Sequence, residues 1–361
     1  MSIFSDLSEL GHEQLVFCKN DDVGLRAIIG IHSTALGPAL GGTRLYNYAS
    51  EADAIRDVLR LSRGMTYKAA VAGLNLGGGK AVIIGDPASI KTEGLFRAFG
   101  RHVESLGGRY ITAEDMNTTV ENMNWIRSET RWVTGVSTYA GGSGDPSPVT
   151  AWGVFHGIRA CLEVAYGSPD VAGRTVAIQG VGAVGYHLAR HLHEHGAKLI
   201  YSDVSARKLA ACVDAFGGKV VDEDDYWSAE CDVLAPCAIG GIVNSSTIPK
   251  IRAPIIAGAA NNQLDDESRD GAALDAASII YAPDYVINAG GLINVYAELQ
   301  GHPAEKAMED SANIFNTVKA VINKAQAQKI TTTQASNQMA EDRIQTVARL
   351  QRMRTRATIG G

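Results

Sequence analysis

Between Glu13 and Ser33 the apolar residues fall into two extended runs, Glu13–Cys18 and Leu25–His32. The turn-forming Asn20, Asp21, Asp22 and Gly24 separate them, a pattern that predicts a β-hairpin. Gly37-Pro-Ala-Leu-Gly-Gly42 reads as a rigid, glycine-bounded loop. Ser50 then caps a helix in which Ala54, Val58, Leu61 and Met65 recur at helical spacing, so Lys68 falls near its C-terminal end. Gly77, Gly78 and Gly79 are expected to form a loop leading into a β-branched strand over Ala81–Gly85, with Lys80 at the junction. A helix from about Thr92 to Leu106, a strand over Arg109–Thr112 and a helix after Thr118 complete a first α/β domain.

Gly135 to Pro148 is rich in Gly, Ser and Pro, as a domain boundary or hinge would be. Beyond it the alternation is cleaner: a helix over Val149–Tyr166, a strand over Thr175–Gln179, a helix to His195 and a strand over Lys198–Ser202. Short apolar segments follow at Asp232–Ala235, Pro254–Ala257 and Ile279–Ala282, and helices over Pro303–Gln328 and Thr333–Arg352 close the pattern. The expected fold class is α/β, with two domains flanking a cleft and the second a Rossmann-type doubly wound parallel sheet. A first domain over residues 1–135 with 330–361 and a second over 136–329 are expected.

Length and composition agree with this division. A chain of 361 residues suggests about two domains. A formal net charge of -6 argues against a nucleic-acid partner, which normally meets a basic face. The one basic cluster, Arg349, Arg352, Arg354 and Arg356, reads as a helix end that favours the helix dipole. Cys18, Cys161, Cys212, Cys231 and Cys237 form no C-x-x-C pair, so free buried thiols in a reducing cytoplasm are expected. Asp6 and Glu9 stand where a signal peptide needs a basic region and an apolar run, and no membrane-spanning segment or membrane partner is expected.

The strongest motif is Gly180-Val-Gly-Ala-Val-Gly185. It follows a strand, opens a helix, and is followed 18 residues after its last glycine by Asp203 at the end of the next strand. Gly180 makes the turn, Gly182 lets a pyrophosphate approach the backbone, and Gly185 lets helix and strand pack closely. Asp203 would bond the adenosine ribose hydroxyls and repel a 2′-phosphate, favouring NAD, although Arg207 lies nearby. His187, His191 and His195 share one helix face at a spacing that could ligate metal, but no H-E-x-x-H and no acidic or cysteine partner accompanies them. A surface histidine row and no metal are expected.

With a dinucleotide fold in the second half, Lys68 and Lys80 become candidates for the substrate side of a hydride-transfer enzyme. A lysine suits interconversion of an amine and a ketone. Asp115 could serve as a third group or cap the following helix. The segments Gly37–Gly42, Gly73–Lys80, Thr112–Asp115, Asp145–Thr150, Gly258–Gln263 and Ala282–Gly291 together resemble the Glu/Leu/Phe/Val amino acid dehydrogenases over nearly the whole chain. The resemblance implies NAD-dependent, reversible oxidative deamination of an L-amino acid to a 2-oxo acid and ammonia, by a homo-oligomer. By motif position, Lys68 would hold the substrate carboxylate, Lys80 would activate the water that attacks the imine, and Asp115 would shuttle protons to and from the amino group. Thr150 and Asn262 would hold the nicotinamide or the substrate, and the backbone of Gly41 and Gly42 would line the pocket.

The pocket positions implied by the family are Leu40, Met65, Ala113, Leu292 and Val295, all apolar, which disfavours glutamate because its second carboxylate would be unpaired. Asn75-Leu76 points to a branched-chain substrate, leucine with valine and isoleucine. Leu292 in place of an expected valine, Met116-Asn117 and Tyr296 depart from that type and keep an aromatic substrate, phenylalanine or tryptophan, as the alternative. A nucleotide-binding regulatory protein without activity is a third reading, against which Lys68, Lys80 and Asp115 together argue.

Overall fold

The computed structural model describes residues 3–137, 139 and 141–356, with side chains to 350. The chain forms two compact units. The first comprises Met1–Gly144, Glu298–Gly301 and Ala340–Gly361, the second Asp145–Ala297 and His302–Met339. The divisions at Gly144 and Ala340 lie beyond the expected 135/136 and 329/330 positions. Val136 belongs to the first unit's apolar core, Ser137 is tied to the same unit by its N–H, which donates to Asn124 Oδ1, and the last helix runs on without a compositional change. Among the described residues no helix is long and apolar enough to cross a membrane. The side chains of Arg352, Arg354 and Arg356 lie outside the described residues.

The first unit runs α1 (Ile3–Leu10), β1 (Gln14–Asn20), β2 (Leu25–Ser33), β3 (Ala39–Tyr46), α2 (Glu51–Val71), β4 (Gly77–Ile84), α3 (Glu93–Ser105), β5 (Tyr110–Glu114) and α4 (Val120–Arg127). Its sheet has the order β1-β2-β4-β3-β5, antiparallel from β1 to β4 and parallel among β4, β3 and β5. Both faces of the sheet are covered. Ile29, Ile31 and Ile83 pack with Phe96 and Phe99 of α3, whereas Ile28 and Val82 pack with Val58 and Leu59 of α2. Ser50, Thr92 and Thr119 cap α2, α3 and α4 by accepting backbone N–H bonds, so Asp115 is not a helix cap.

Two glycine-rich segments expected as loops are strands. Gly41 and Gly42 sit inside β3, and the three glycines form the start of β4, which puts Lys80 within the strand rather than at its edge. The cause is close packing on every side. A Cβ on Gly78 would stand 2.1 Å from the Thr66 nitrogen of α2, and one on Gly79 would stand 2.6 Å from the Tyr110 ring. Bare backbone is what lets α2 and β5 approach β4.

The second unit contains α5 (Ser147–Tyr166), β6 (Thr175–Gln179), α6 (Ala183–Glu194), β7 (Lys198–Ser202), α7 (Ala206–Phe216), β8 (Lys219–Val220) and α8 (Glu223–Tyr226). It continues with β9 (Val233–Pro236), β10 (Ile255–Ile256), α9 (Glu267–Ala276), β11 (Ile280–Tyr281), α10 (Asp284–Ile287) and α11 (Gly290–Leu299). Then come α12 (Ala304–Ala312), α13 (Ile314–Gln328) and α14 (Thr332–Arg356), the last of which belongs to the first unit from Ala340 onward. The parallel sheet has the order β11-β10-β9-β6-β7-β8, so successive strands leave β6 in opposite directions and create a switch point at its C-terminal end. The expected Pro303–Gln328 helix is two helices that meet at Asn313.

The histidine row is not a surface feature throughout. His191 is buried, with its ring 4.9 Å from Trp152, and His195 packs 4.6 Å from Phe155 of α5. The apolar α5 surface covers this face of α6, and burial pushes the His191 pKa down to about 4.

Candidate active site

Lys80 lies in the middle of β4 and is 5% exposed. Its Nζ is 2.8 Å from Asp115 Oδ1, and the other carboxylate oxygen, Oδ2, accepts from Arg44 Nε at 3.0 Å. Three adjacent parallel strands therefore supply one residue each: Arg44 from β3, Lys80 from β4, and Asp115 just past the end of β5. The backbone of Asp115 is fixed as well, because its N–H donates to Thr118 Oγ1 at 2.9 Å and that hydroxyl donates on to the Thr43 carbonyl. Gly42 is required beside it, since a Cβ there would fall 2.8 Å from Asp115 Cβ.

Electrostatics follow from this burial. Desolvation pulls the Lys80 pKa below the ordinary lysine value, against the opposing pull of Asp115. Burial pushes the Asp115 carboxyl up, but Lys80 and Arg44 outweigh it and hold the group below the ordinary carboxylate value. The pair is a carboxylate kept ionised beside an amine that gives up its proton more readily than a surface lysine.

The other expected residues of the first unit lie on β3, β5 and α2. Leu40, Gly41 and Gly42 are buried in β3, Ala113 pairs with Gly42 across the β3–β5 ladder, and Met65 on α2 approaches Gly41. Lys68 is half-buried in the last turn of α2. In the second unit Thr150 of α5 packs against Gly290 and Gly291 at the start of α11, which carries buried Leu292 and half-buried Val295. Asn262 is exposed in a left-handed conformation at φ 50, in a loop held by Gln263 and by Asn288, whose Nδ2 donates to Asn261 Oδ1 at 2.8 Å.

At the switch point, Gly180 has φ +86 and makes the turn after β6. A Cβ on Gly185 would lie 2.0 Å from the Gly180 carbonyl oxygen, so this glycine sets the close approach of α6 to the turn. A Cβ on Gly182, the N-cap of α6, would meet nothing within 4 Å. That open space beside unpaired helix N–H groups fits a dinucleotide pyrophosphate. A depression of about 270 Å³ lies here, lined by Gly182, Ala183, Tyr186, His187 and Lys208 among others. Asp203 accepts the Val181 N–H on Oδ2 and the Ser205 N–H on Oδ1, both at 2.8 Å, so it shapes the glycine loop.

Residues 12–132 match the family described as Glu/Leu/Phe/Val dehydrogenase, dimerisation domain, and residues 141–206 and 202–353 match Glutamate/Leucine/Phenylalanine/Valine dehydrogenase. The chain belongs to the Glu/Leu/Phe/Val dehydrogenase family. It is an amino acid dehydrogenase that uses a nicotinamide dinucleotide, NAD(P). It is 53% identical to the leucine dehydrogenase of Geobacillus stearothermophilus over 96% of this chain and 94% of the relative. It is 48% identical to the valine dehydrogenase of Streptomyces virginiae over 92% of this chain and 94% of that protein. Among solved structures, the L-tryptophan dehydrogenase of Nostoc punctiforme superposes with a TM-score of 0.87 at 48% identity, covering 96% of this chain and 99% of that one.

Beside the Lys80–Asp115 pair, sequence reasoning missed Arg44, together with the groups that hold it. Arg44 Nη1 donates to Asp57 Oδ2 at 2.9 Å, and Tyr48 donates its hydroxyl to the same oxygen at 2.7 Å. The available signal was an arginine two residues after a glycine pair. Asn288 was also not singled out: it lies inside the Ala282–Gly291 motif, but the bonds it makes to the 259–261 loop are visible only in the structure.

Proposed function

We propose that this chain catalyses the NAD-dependent, reversible oxidative deamination of a branched-chain L-amino acid, leucine with valine and isoleucine, to the 2-oxo acid and ammonia. The observation that carries the reading is the buried Lys80–Asp115 pair at 2.8 Å, an amine of lowered proton affinity held against an ionised carboxylate. Bound NAD supplies the acceptor for the hydride leaving the substrate Cα. Lys68 holds the substrate carboxylate as a compact three-donor cation. Asp115 takes a proton from the amino nitrogen as the C–N bond becomes an imine, and Lys80 in its neutral form takes one from the water that attacks the imine carbon. Return of a proton to the nitrogen releases ammonia. Gly41 and Gly42 let the substrate approach the β3 backbone, and Thr150 and Asn262 orient the nicotinamide or the substrate.

Every position assigned to the substrate side chain, Leu40, Met65, Ala113, Leu292 and Val295, is apolar. A glutamate side chain against them would leave a carboxylate unpaired. Asp203 favours NAD over NADP through the ribose hydroxyls. The dimerisation description of the first matched region supports a homo-oligomer, built on the first unit. The free thiols of Cys18, Cys161 and Cys212 are buried and suit the reducing cytoplasm. NADH formation from Leu, Val, Ile, Phe, Trp and Glu tests the substrate: a branched aliphatic side chain should be fastest, and a faster aromatic substrate would transfer the assignment to the aromatic alternative. Turnover surviving in Lys80→Ala would overturn the mechanism.

A further inference from the structure

We propose that Arg44 is a positioning residue that fixes the Asp115 carboxylate for proton transfer, and that Asp57 and Tyr48 hold Arg44 in place. The inference rests on the reading of Lys80 and Asp115 as the proton-transferring pair. A carboxylate beyond the end of a strand can rotate about two side-chain bonds, and a lysine alone would hold it at one point. Arg44 supplies the second point, with Nε on Oδ2 while Lys80 occupies Oδ1, so the carboxylate plane is set by two donors on adjacent strands. Arg44 is in turn gripped from the other side by Asp57 Oδ2, which also accepts from Tyr48, while Asp57 Oδ1 faces Arg60 at 3.1 Å. The result is an alternating chain of charges, Arg60, Asp57, Arg44, Asp115 and Lys80, in which Arg44 and Asp57 remain less than one-fifth exposed. A surface ion pair of long side chains would have no need of this second layer.

The charged and titratable groups that act on the pair are Arg44 from β3 and Asp57 from α2, with Tyr48 and Arg60 bound to Asp57 and Tyr110 of β5 coupled to Asp115. Arg44 lowers the proton affinity of Lys80 by repulsion, and Asp57 raises it. The two neighbours therefore act on the pair with opposite sign, although neither is a direct partner of Lys80 in an ion pair.

The test is steady-state kinetics of the intact enzyme with its preferred amino acid, as pH profiles, for Arg44→Met, Arg44→Lys and Asp57→Asn beside Lys80→Ala. Arg44→Met should lower kcat by about 10²-fold with KM changed by less than about threefold, as expected for lost orientation rather than lost binding. Its basic-group limb should move to higher pH, and Arg44→Lys should recover part of kcat. Asp57→Asn should move the same limb to lower pH. If Arg44→Met keeps full kcat and an unmoved profile while Lys80→Ala is inactive, the positioning role is wrong and the assignment of the pair stands. If Lys80→Ala is active, the assignment itself falls. Should Arg44→Met not fold, Asp57→Asn decides, and an unshifted profile in that variant overturns the proposal.

Discussion

Arg343 donates from Nη1 to the Leu74 carbonyl at 2.7 Å, joining the last helix of the chain to the turn that follows α2. The same guanidinium reaches the carbonyls of Ala70 at 3.2 Å and Gly73 at 3.0 Å and the Asn75 side chain at 3.0 Å. Carbonyls at a helix C-terminus lack internal donors and carry partial negative charge, so a cation with a fork of N–H groups is well matched to them. Arg343→Ala should cost about 2 kcal/mol, read as a lower urea midpoint at constant m-value. Because Lys68 occupies the last turn of α2, the variant should also raise KM for the amino acid more than for NAD. An unaltered midpoint would show that the clamp adds nothing.

Two glycines of the dinucleotide loop should fail in different ways. Gly185→Ala places a Cβ 2.0 Å from a backbone oxygen that cannot move without displacing the β6 turn, so this variant should fold poorly or melt far below wild type. Gly182→Ala meets open space and should fold normally, yet on the proposed site bind NAD about tenfold or more weakly, because the added methyl would occupy the approach assigned to the pyrophosphate. Thermal melts and NADH fluorescence titrations separate the two. A Gly182→Ala protein with undiminished affinity would remove the pyrophosphate from this site.

Asp115→Asn should destabilise the fold in a pH-dependent manner. It leaves the Lys80 ammonium buried without its carboxylate, a loss of about 2 kcal/mol, less than for a fully buried pair because the Asp115 side chain is 24% exposed. Lys80 then has a still lower folded pKa. Between that value and the higher folded pKa of wild-type Lys80, only the variant binds more protons unfolded than folded, so its stability rises with pH relative to wild type and the penalty shrinks. At the acid end the penalty shrinks as well, since wild-type Asp115, with its lowered folded pKa, contributes stability that is lost as pH falls through that value. Denaturation midpoints of both proteins across the pH range should therefore differ most in the middle. A difference independent of pH would mean that the pair is not charged as described.

What could be read in advance depended on whether a residue's role was local. The β6–loop–α6–β7 unit announces itself because apolar strand residues, glycines and Asp203 follow one another at fixed spacing. Strand β3 and the first half of β4 carry no such signal, since Gly41, Gly42 and Gly77–Gly79 have no side chains to alternate, and their pairing is dictated by α2 and Tyr110 packing onto them. Lys80 and Asp115 stand inside the motif segments that carry the family resemblance, and the structure brings the two side chains together. Arg44 was not legible in advance, because its partners stand 13 residues away on α2 and 71 residues away beyond β5, a relation that exists only once the strands are in register. The buried His191 was missed for a similar reason, as nothing in its own helix reveals that Trp152 and Phe155 cover it.

Asp203 holds the glycine loop, and the ribose contact proposed for it can be separated from that role. Its carboxylate holds the loop through the Val181 and Ser205 N–H groups, and each oxygen retains a lone pair for a ribose hydroxyl. Asp203→Ala should therefore weaken both NAD and NADP through the loosened loop, but NAD more, by about a further tenfold, because only NAD also loses its ribose partner. For NADP the loss is offset, since the carboxylate no longer repels the 2′-phosphate while Arg207 and Lys208 remain on the neighbouring α7. Asp203→Asn keeps an acceptor for one backbone N–H and removes the charge, so it should spare NAD binding partly and improve the NADP to NAD ratio. Titrations with NADH and NADPH measure both constants. Equal losses for the two dinucleotides in Asp203→Ala would leave this carboxylate with the loop alone.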